Sequence, residues 1–125
     1  MEVLETSVYA EDLEQARAFY EGVLGLPCFQ FHPPRHAFFR AGRGVFLVFN
    51  PSLTERDEHL PPHGARGSVH VAFRVKAEDL PLWAERLRAA GYPVRWASWP
   101  RGKSLYTQDP AGNLVELAPG EIWGL

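Results

Sequence analysis

Three segments of the chain each carry one side chain that can bind a metal ion. Glu5, His70 and Glu116 fall in stretches with the composition of β-strands, and alternate residues of a strand point to the same face. Carboxylate oxygens and imidazole nitrogens are common ligands of divalent cations. The three residues would therefore supply a metal-binding set if the fold brought their strands together.

Each of these residues also has an ordinary structural explanation. Taken alone, Glu5 is typical of a solvated strand residue, His70 of a hydrogen-bonded core histidine, and Glu116 of a partner for an arginine. The residues by themselves leave both interpretations open. The arrangement of the elements that carry them has to decide between the two.

An internal repeat indicates what that arrangement is. Glu11-Asp12-Leu13 begins a predicted amphipathic helix that ends at Gly25, and Glu78-Asp79-Leu80 begins a second one that ends at Gly91. In both copies one predicted strand precedes the helix and three follow it. Two copies of one supersecondary unit predict an internal pseudo-twofold axis with a cleft between the halves.

The predicted strands complete both copies of the repeat. They are Val3–Tyr9, Cys28–Phe31, Ala37–Arg40 and Val45–Phe49 in the first copy, and Ser68–Val75, Val94–Ala97, Ser104–Thr107 and Asn113–Leu117 in the second. We therefore predict a single domain of two βαβββ modules, residues 1–50 and 67–118, joined by a linker at 51–66.

Three longer segments resemble a known family. LETSVYAEDLEQARAFYEGVLGL lies in the first module, GSVHVAFRV in the second, and SLYTQDPAGNLVELAP at the end. Together they resemble the vicinal oxygen chelate superfamily, which includes glyoxalase I, extradiol dioxygenases, fosfomycin-resistance transferases and bleomycin-binding proteins. The resemblance implies an α+β fold in which the two βαβββ modules form an open eight-stranded mixed barrel with a divalent metal ion in its cavity.

The resemblance also implies a set of metal ligands. The family's ligand positions fall on Glu5 in the first strand, His70 in the fifth and Glu116 in the eighth. The fourth-strand position falls on Phe46 or an apolar neighbour, which departs from a four-ligand glyoxalase site, and many members have histidine where this chain has Glu5. Three protein ligands would leave about three positions of an octahedral ion open. The expected cofactor is one divalent ion, which would be Mn, Fe, Ni, Co, Mg or Zn.

Further site residues follow from the same resemblance. Glu116 is expected to act in catalysis as well as in metal binding. His63 lies in the proline-rich linker, where a surface position is typical, but a linker that crosses between the modules would bring it to the cleft mouth as an acid or base. The expected substrate pocket comprises Ser7, Tyr9, Phe46, Trp99, Arg101 and Tyr106.

The function that these expectations favour is a metal-dependent enzyme of the glyoxalase type. It would act on a small substrate with two adjacent oxygens, and the ion would serve as a Lewis acid. One alternative is a non-catalytic binding protein of the bleomycin-resistance type, which would hold a drug or metabolite. A third is an extradiol-type dioxygenase, which is disfavoured because the two-histidine, one-carboxylate triad of iron(II) oxygenases is absent.

Composition and charge limit the kinds of molecule that this chain is expected to bind. The chain of 125 residues has a formal net charge of -2 and a single cysteine, so no basic field attracts nucleic acid and no disulfide forms within the chain. No apolar run approaches the roughly 18 residues of a membrane span, and we expect a cytoplasmic location. Because family relatives pair to cover an exposed sheet edge, we predict a homodimer that binds a small-molecule substrate.

Overall fold

The sequence repeat is present as two four-stranded mixed sheets. A computed structural model describes residues 1–125, that is, the whole chain. The chain divides into two units, Met1–Val69 and His70–Leu125, and each unit contains one of the sheets. The α+β class and the βαβββ order of both modules are therefore confirmed.

The first unit contains four strands and two helices. Its sheet has the order β1-β4-β3-β2, in which β1 runs parallel to β4 and the other pairs are antiparallel. The elements in chain order are β1 (Glu5–Tyr9), α1 (Leu13–Arg17) with a π-helical continuation (Ala18–Val23), β2 (Cys28–His32), β3 (His36–Ala41), β4 (Gly44–Phe49) and α2 (Pro51–Thr54).

The second unit repeats this topology. Its sheet has the order β5-β8-β7-β6, with β5 parallel to β8 and the other pairs antiparallel. The elements in chain order are β5 (His70–Arg74), a 3-10 turn (Ala77–Asp79), α3 (Leu80–Ala89), β6 (Arg95–Trp99), β7 (Gly102–Gln108), β8 (Leu114–Ala118) and a second 3-10 turn (Gly120–Trp123).

The first helix begins and packs as its sequence predicts. The Asp12 side chain accepts a hydrogen bond from the Gln15 amide at 3.1 Å and so caps the free N–H groups of the first turn. Further along, Phe19 and Tyr20 are fully buried, and the Tyr20 ring lies 4.6 Å from the Phe46 ring of β4. The helix therefore covers one face of the first sheet and leaves the opposite face for other contacts.

A buried turn places the last strand. Asp109 Oδ1 accepts hydrogen bonds from the amides of Ala111 and Asn113, both at 2.9 Å, and Asp109 Oδ2 accepts one from Asn113 Nδ2 at 2.8 Å. Gly112 between them has φ +87°, a conformation that residues with a Cβ rarely adopt. This turn fixes the start of β8, the strand that carries Glu116.

Some elements differ from the sequence prediction. The first helical stretch is not uniform, because it changes to a π-helix at Ala18. The short helix α2 within the predicted linker was not anticipated, although Asn50 caps it and Pro51 occupies its first turn, which are both known start signals. None of the helices has the length and apolarity needed to span a bilayer.

Candidate functional site

One face of the second sheet carries a set of polar side chains. In the strand register, Glu116 lies opposite both Ala72 of β5 and Tyr106 of β7. His70 is two residues before Ala72 and therefore points to the same face as Glu116. The opposite face is the core of the unit, where Val115 and Leu117 are buried.

His70 is held by the backbone of the neighbouring strand. Its Nδ1 lies 3.1 Å from the carbonyl oxygen of Leu114. Because a carbonyl only accepts, Nδ1 carries the proton of this hydrogen bond. In the neutral imidazole, Nε2 then has a free lone pair, and this atom lies 3.3 Å from Oε2 of Glu116. Two acceptors at this distance repel each other unless a proton or a cation lies between them.

The Glu116 carboxylate is buried and incompletely bonded. The residue is 6% exposed, and its Oε1 atom has no hydrogen-bond partner. A buried carboxylate oxygen without a partner is costly, because it has lost its water and gained no donor. The sheet thus presents an imidazole nitrogen and a carboxylate that both lack a positive partner.

A polar series extends from Glu116 along this face. The Tyr106 hydroxyl has Glu116 and Ser104 as hydrogen-bonding neighbours, and its pKa is raised by burial and then by the Glu116 charge and hydrogen bond. Ser104 is fully buried and accepts a hydrogen bond from Trp99 Nε1 at 2.9 Å. A chain of hydrogen-bonding neighbours therefore runs from Trp99 through Ser104 and Tyr106 to Glu116. The prediction omitted Ser104, although its position two residues before Tyr106 places it on the same face.

The first sheet has an equivalent face. Glu5 of β1 pairs with Val45 of β4, as His70 of β5 pairs with Leu114 of β8. Glu5 and His70 thus occupy corresponding positions in their modules. By the same register, the residue that corresponds to Glu116 is the apolar Leu47.

Phe46 does not belong to this face, and its assignment to the substrate pocket is corrected. Neighbouring residues of a strand point to opposite faces, so Phe46 points away from Glu5 and Leu47. It is 1% exposed and packs against the Tyr20 ring under the first helix. The error arose because β4 is apolar on both faces, which hides the alternation that would have revealed its register.

A hollow of about 620 Å³ lies on the Glu5 face of the first unit. Its floor comes from the sheet, and its wall comes from the segment that follows α2. The lining includes Glu5, His36, Phe38, Phe49, Leu60 and His63.

His63 is held over this face by three contacts. Its Nδ1 lies 2.7 Å from the Tyr9 hydroxyl, and its ring meets the Phe49 ring at 82° with the centroids 4.8 Å apart. Its backbone amide also donates to the Thr54 carbonyl at 3.1 Å. His63 is exposed, yet its ring lies against the same sheet face as Tyr9 and lines the hollow.

The other expected residues are distributed between the two units. Ser7 shares the face of Glu5 and Tyr9, whereas Arg101 lies in the turn between β6 and β7, beside Gly124. Within neither unit do three or more histidine, cysteine or acidic side chains form a group that could hold a metal ion. The His70 and Glu116 pair therefore supplies two of the three expected ligands.

These features define the class of the protein. Two βαβββ modules with mixed sheets, whose polar faces carry carboxylate and imidazole groups, constitute a glyoxalase-like α+β fold. The family model of the Glyoxalase/Bleomycin resistance protein/Dioxygenase superfamily matches residues 3–117. The chain belongs to this superfamily.

Known relatives agree with this assignment. The chain is 38% identical to the lactoylglutathione lyase of Agrobacterium tumefaciens, whose crystal structure it matches with a TM-score of 0.94 over 99% of this chain and 97% of that one. It is 29% identical to the metallothiol transferase FosB of Bacillus licheniformis over 90% of this chain and 71% of FosB. The FosX structure of Listeria monocytogenes, complexed with Mn(II) and sulfate, is similar in fold, with 20% identity and a TM-score of 0.69 over 95% of this chain and 89% of FosX.

Proposed function

We propose that this protein is a metal-dependent enzyme of the glyoxalase type that acts on a small substrate with two adjacent oxygens. One observation carries the proposal. In the second unit, Glu116 Oε1 is buried without a hydrogen-bond partner, and Glu116 Oε2 faces His70 Nε2 at 3.3 Å. Both findings are explained if a cation completes the site.

The residues fit a divalent ion in their chemistry. Nε2 of His70 is available to a metal ion because Nδ1 donates a hydrogen bond to the Leu114 carbonyl. In metal-binding histidines the second ring nitrogen almost always makes such a hydrogen bond. Glu5 is proposed as the third ligand, on the family resemblance and on its correspondence to His70 in the register. When bound, the ion would serve as a Lewis acid for the two substrate oxygens.

The chain's own residues would orient the substrate and move protons. We assign Tyr106 and Trp99 to the substrate side of Glu116, since both lie in the polar series that ends at its carboxylate. His63 is assigned as an acid or base, because the Tyr9 hydroxyl holds its ring against the sheet face that carries Glu5.

Metal analysis tests the proposal. Purified protein is expected to contain about one divalent ion per chain and to gain melting temperature when Mn²⁺, Fe²⁺, Ni²⁺, Co²⁺, Mg²⁺ or Zn²⁺ is added. Glu116→Ala should lose both effects. Glu85→Ala is the matched control, because Glu85 is exposed on α3 in the same unit. A wild-type protein that neither contains nor responds to any of these ions would overturn the proposal.

A metal-independent binding protein is the second candidate. It is favoured by the hollow of the first unit, whose floor is aromatic and needs no ion to bind an apolar molecule. Ligand binding that is unchanged in Glu116→Ala, in a protein that contains no metal, would support this alternative.

We also propose that the protein is a homodimer. The positions of β2 and β6 as outer strands of their sheets, and exposed tryptophan side chains such as Trp123, which is 79% exposed, favour association. Gel filtration with light scattering at micromolar concentration should show a species of twice the 14.1 kDa chain mass. A purely monomeric protein would contradict this part of the proposal.

A further inference from the structure

We propose that the hollow of the first unit recognises an uncharged aromatic ring, which would be the non-reacting part of the substrate. The inference rests on the proposed function only in assuming that the reacting part of the substrate has two adjacent oxygens. Recognition of the ring is argued from the residues of the hollow and can be tested without any metal.

The floor of the hollow consists of aromatic rings, of which one pair is stacked and another meets edge to face. The His36 imidazole stacks on the Phe38 ring with centroids 4.0 Å apart and 12° between the planes. Phe38 in turn meets Phe49 edge to face at 5.3 Å and 75°. Phe49 and Leu47 are only 7% and 6% exposed although they lie on the face away from α1. A flat ring can therefore extend an existing stack over an apolar base.

The Arg35 guanidinium and the His36 imidazole at the edge of the floor already have partners. His36 Nδ1 lies 2.7 Å from Arg35 Nη1, and since arginine only donates, Nδ1 accepts and Nε2 keeps the proton that it gives to Gln30 Oε1 at 2.8 Å. His36 is therefore a neutral imidazole with both nitrogens occupied. The Arg35 guanidinium also pairs with Asp57 at 3.5 Å. An anionic group on a ligand at this position would find the Arg35 charge already paired and would also face the Glu5 carboxylate of the lining.

The wall of the hollow is preorganised. Asp57 Oδ1 accepts hydrogen bonds from the amides of His59 at 2.9 Å and Leu60 at 3.0 Å, which shapes the segment before Pro61. At the other end of this segment, His63 is bonded to Tyr9 and packed on Phe49. Leu60 is 61% exposed at the rim, where a bound ring would cover its apolar surface. A wall that is fixed in advance lowers the entropic cost of binding.

The size and position of the hollow agree with this role. Its volume of about 620 Å³ lies within the usual range for small-molecule pockets, roughly 300–1,000 Å³. Glu5, the proposed metal ligand, lies in its lining. A substrate whose oxygens are directed toward Glu5 would therefore place an attached ring over Phe38 and Phe49.

Two uncharged diols, one with a phenyl group where the other has a methyl group, test the inference. In metal-free protein, 1-phenyl-1,2-ethanediol should bind about tenfold more tightly than 1,2-propanediol, because burial of roughly half a phenyl surface is worth that factor. NMR titration should locate the shifts at Phe38, Phe49 and Leu60. Anionic mandelate, which has the same ring, should bind more weakly than the phenyl diol.

Matched variants make the test specific. Leu60→Ala should weaken binding of the phenyl diol about threefold or more without changing binding of propanediol. Leu82→Ala is the control, since Leu82 is 64% exposed and lies in the second unit. Equal affinities for the two diols, or shifts outside the hollow, would overturn the inference.

The diol-binding test and the metal test can fail independently of each other. A protein that binds no metal but prefers the phenyl diol would retain the ring site and lose the enzymatic proposal. A protein that binds one ion but shows no preference for the ring would retain the enzymatic proposal and lose this inference.

Discussion

His70 Nε2 and Glu116 Oε2 lie 3.3 Å apart on one face of the second sheet, and in the neutral-histidine state the imidazole donates no proton to the carboxylate. The second oxygen of the same carboxylate, Oε1, is buried without a partner. Such an arrangement is unfavourable in the absence of a cation and becomes favourable when one is bound. Functional sites often lower the stability of the folded protein in this way.

Glu116→Gln should therefore have opposite effects on stability and on metal response. Without metal, the variant should be as stable as the wild type or more stable by about 1 kcal/mol, since the amide buries no charge and can donate a hydrogen bond. The rise in melting temperature with added divalent ion should disappear. Thermal unfolding with and without the ion measures both effects, and Glu85→Gln on the exposed face of α3 serves as control. A large loss of stability in the metal-free variant would contradict this interpretation of the carboxylate.

The link from Trp99 to Glu116 should be visible by NMR. Trp99 Nε1 donates to Ser104 Oγ at 2.9 Å, and Ser104 neighbours Tyr106, which neighbours Glu116. Ser104→Ala should shift the Trp99 indole resonance and speed its hydrogen exchange, because the indole N–H loses its acceptor. The indole resonances of Trp96 and Trp123 should not change.

A pair of tryptophan variants tests the consequence for the site. Trp99→Phe keeps a ring but removes the donor, and it should alter the visible spectrum of the Co²⁺-substituted protein, which reports ligand geometry. Trp96→Phe is the matched control, because Trp96 is 41% exposed, close to the 43% of Trp99, and lies on the opposite face of β6. Identical spectra for both variants would show that Trp99 does not position Glu116.

His36 should make the stability of the first unit depend on pH. Burial, the Arg35 charge and the His32 charge lower the pKa of His36 below its ordinary value of 6.5. As pH falls through that value, the unfolded chain takes up a proton before the folded chain does, so the free energy of unfolding decreases until the lowered pKa is passed. His36→Phe, which cannot titrate, should show a smaller loss of melting temperature between about pH 7.5 and 5.5. His59→Gln, which removes an exposed histidine of the same unit, is the control, and an equal pH dependence of His36→Phe and the wild type would contradict the prediction.

Asp57 should control the order of the wall that it supports. The Leu60 and His59 amides, and the Arg35 guanidinium after them, hold the pKa of Asp57 below its ordinary value of 3.8. Its contribution to stability is therefore present above that value and is lost as pH falls through the lowered pKa. Asp57→Ala should speed hydrogen exchange of the Leu60 and His59 amides and weaken binding of 1-phenyl-1,2-ethanediol. Asp57→Asn, which keeps a side-chain acceptor, should retain more protection, and equal exchange in the two variants would show that the acceptor is not what orders the wall.

Local signals in the sequence were enough to predict the elements and their order. Asp12 and Gly25 marked the ends of the first helical stretch, and the Asp109 to Asn113 turn marked the start of β8, because caps and turns depend on residues only a few positions apart. Alternation in β5 likewise placed His70 and Val71 on opposite faces. The repeat then predicted that the two modules share one topology.

The contacts between side chains of neighbouring strands depend on the register of those strands, and the sequence did not specify this register for every strand. β4 is apolar on both faces, so only its pairing with β1 shows that Leu47, and not Phe46, shares the face of Glu5. The contact between His70 and Glu116 and the hydrogen bond between His63 and Tyr9 join residues far apart in the chain. Sequence by itself therefore determined the family, the modules and the types of residue that can bind a metal. Tertiary structure decided which of them are buried, which atoms lack a partner and where an aromatic floor forms, because these properties arise only when distant strands pair and exclude water.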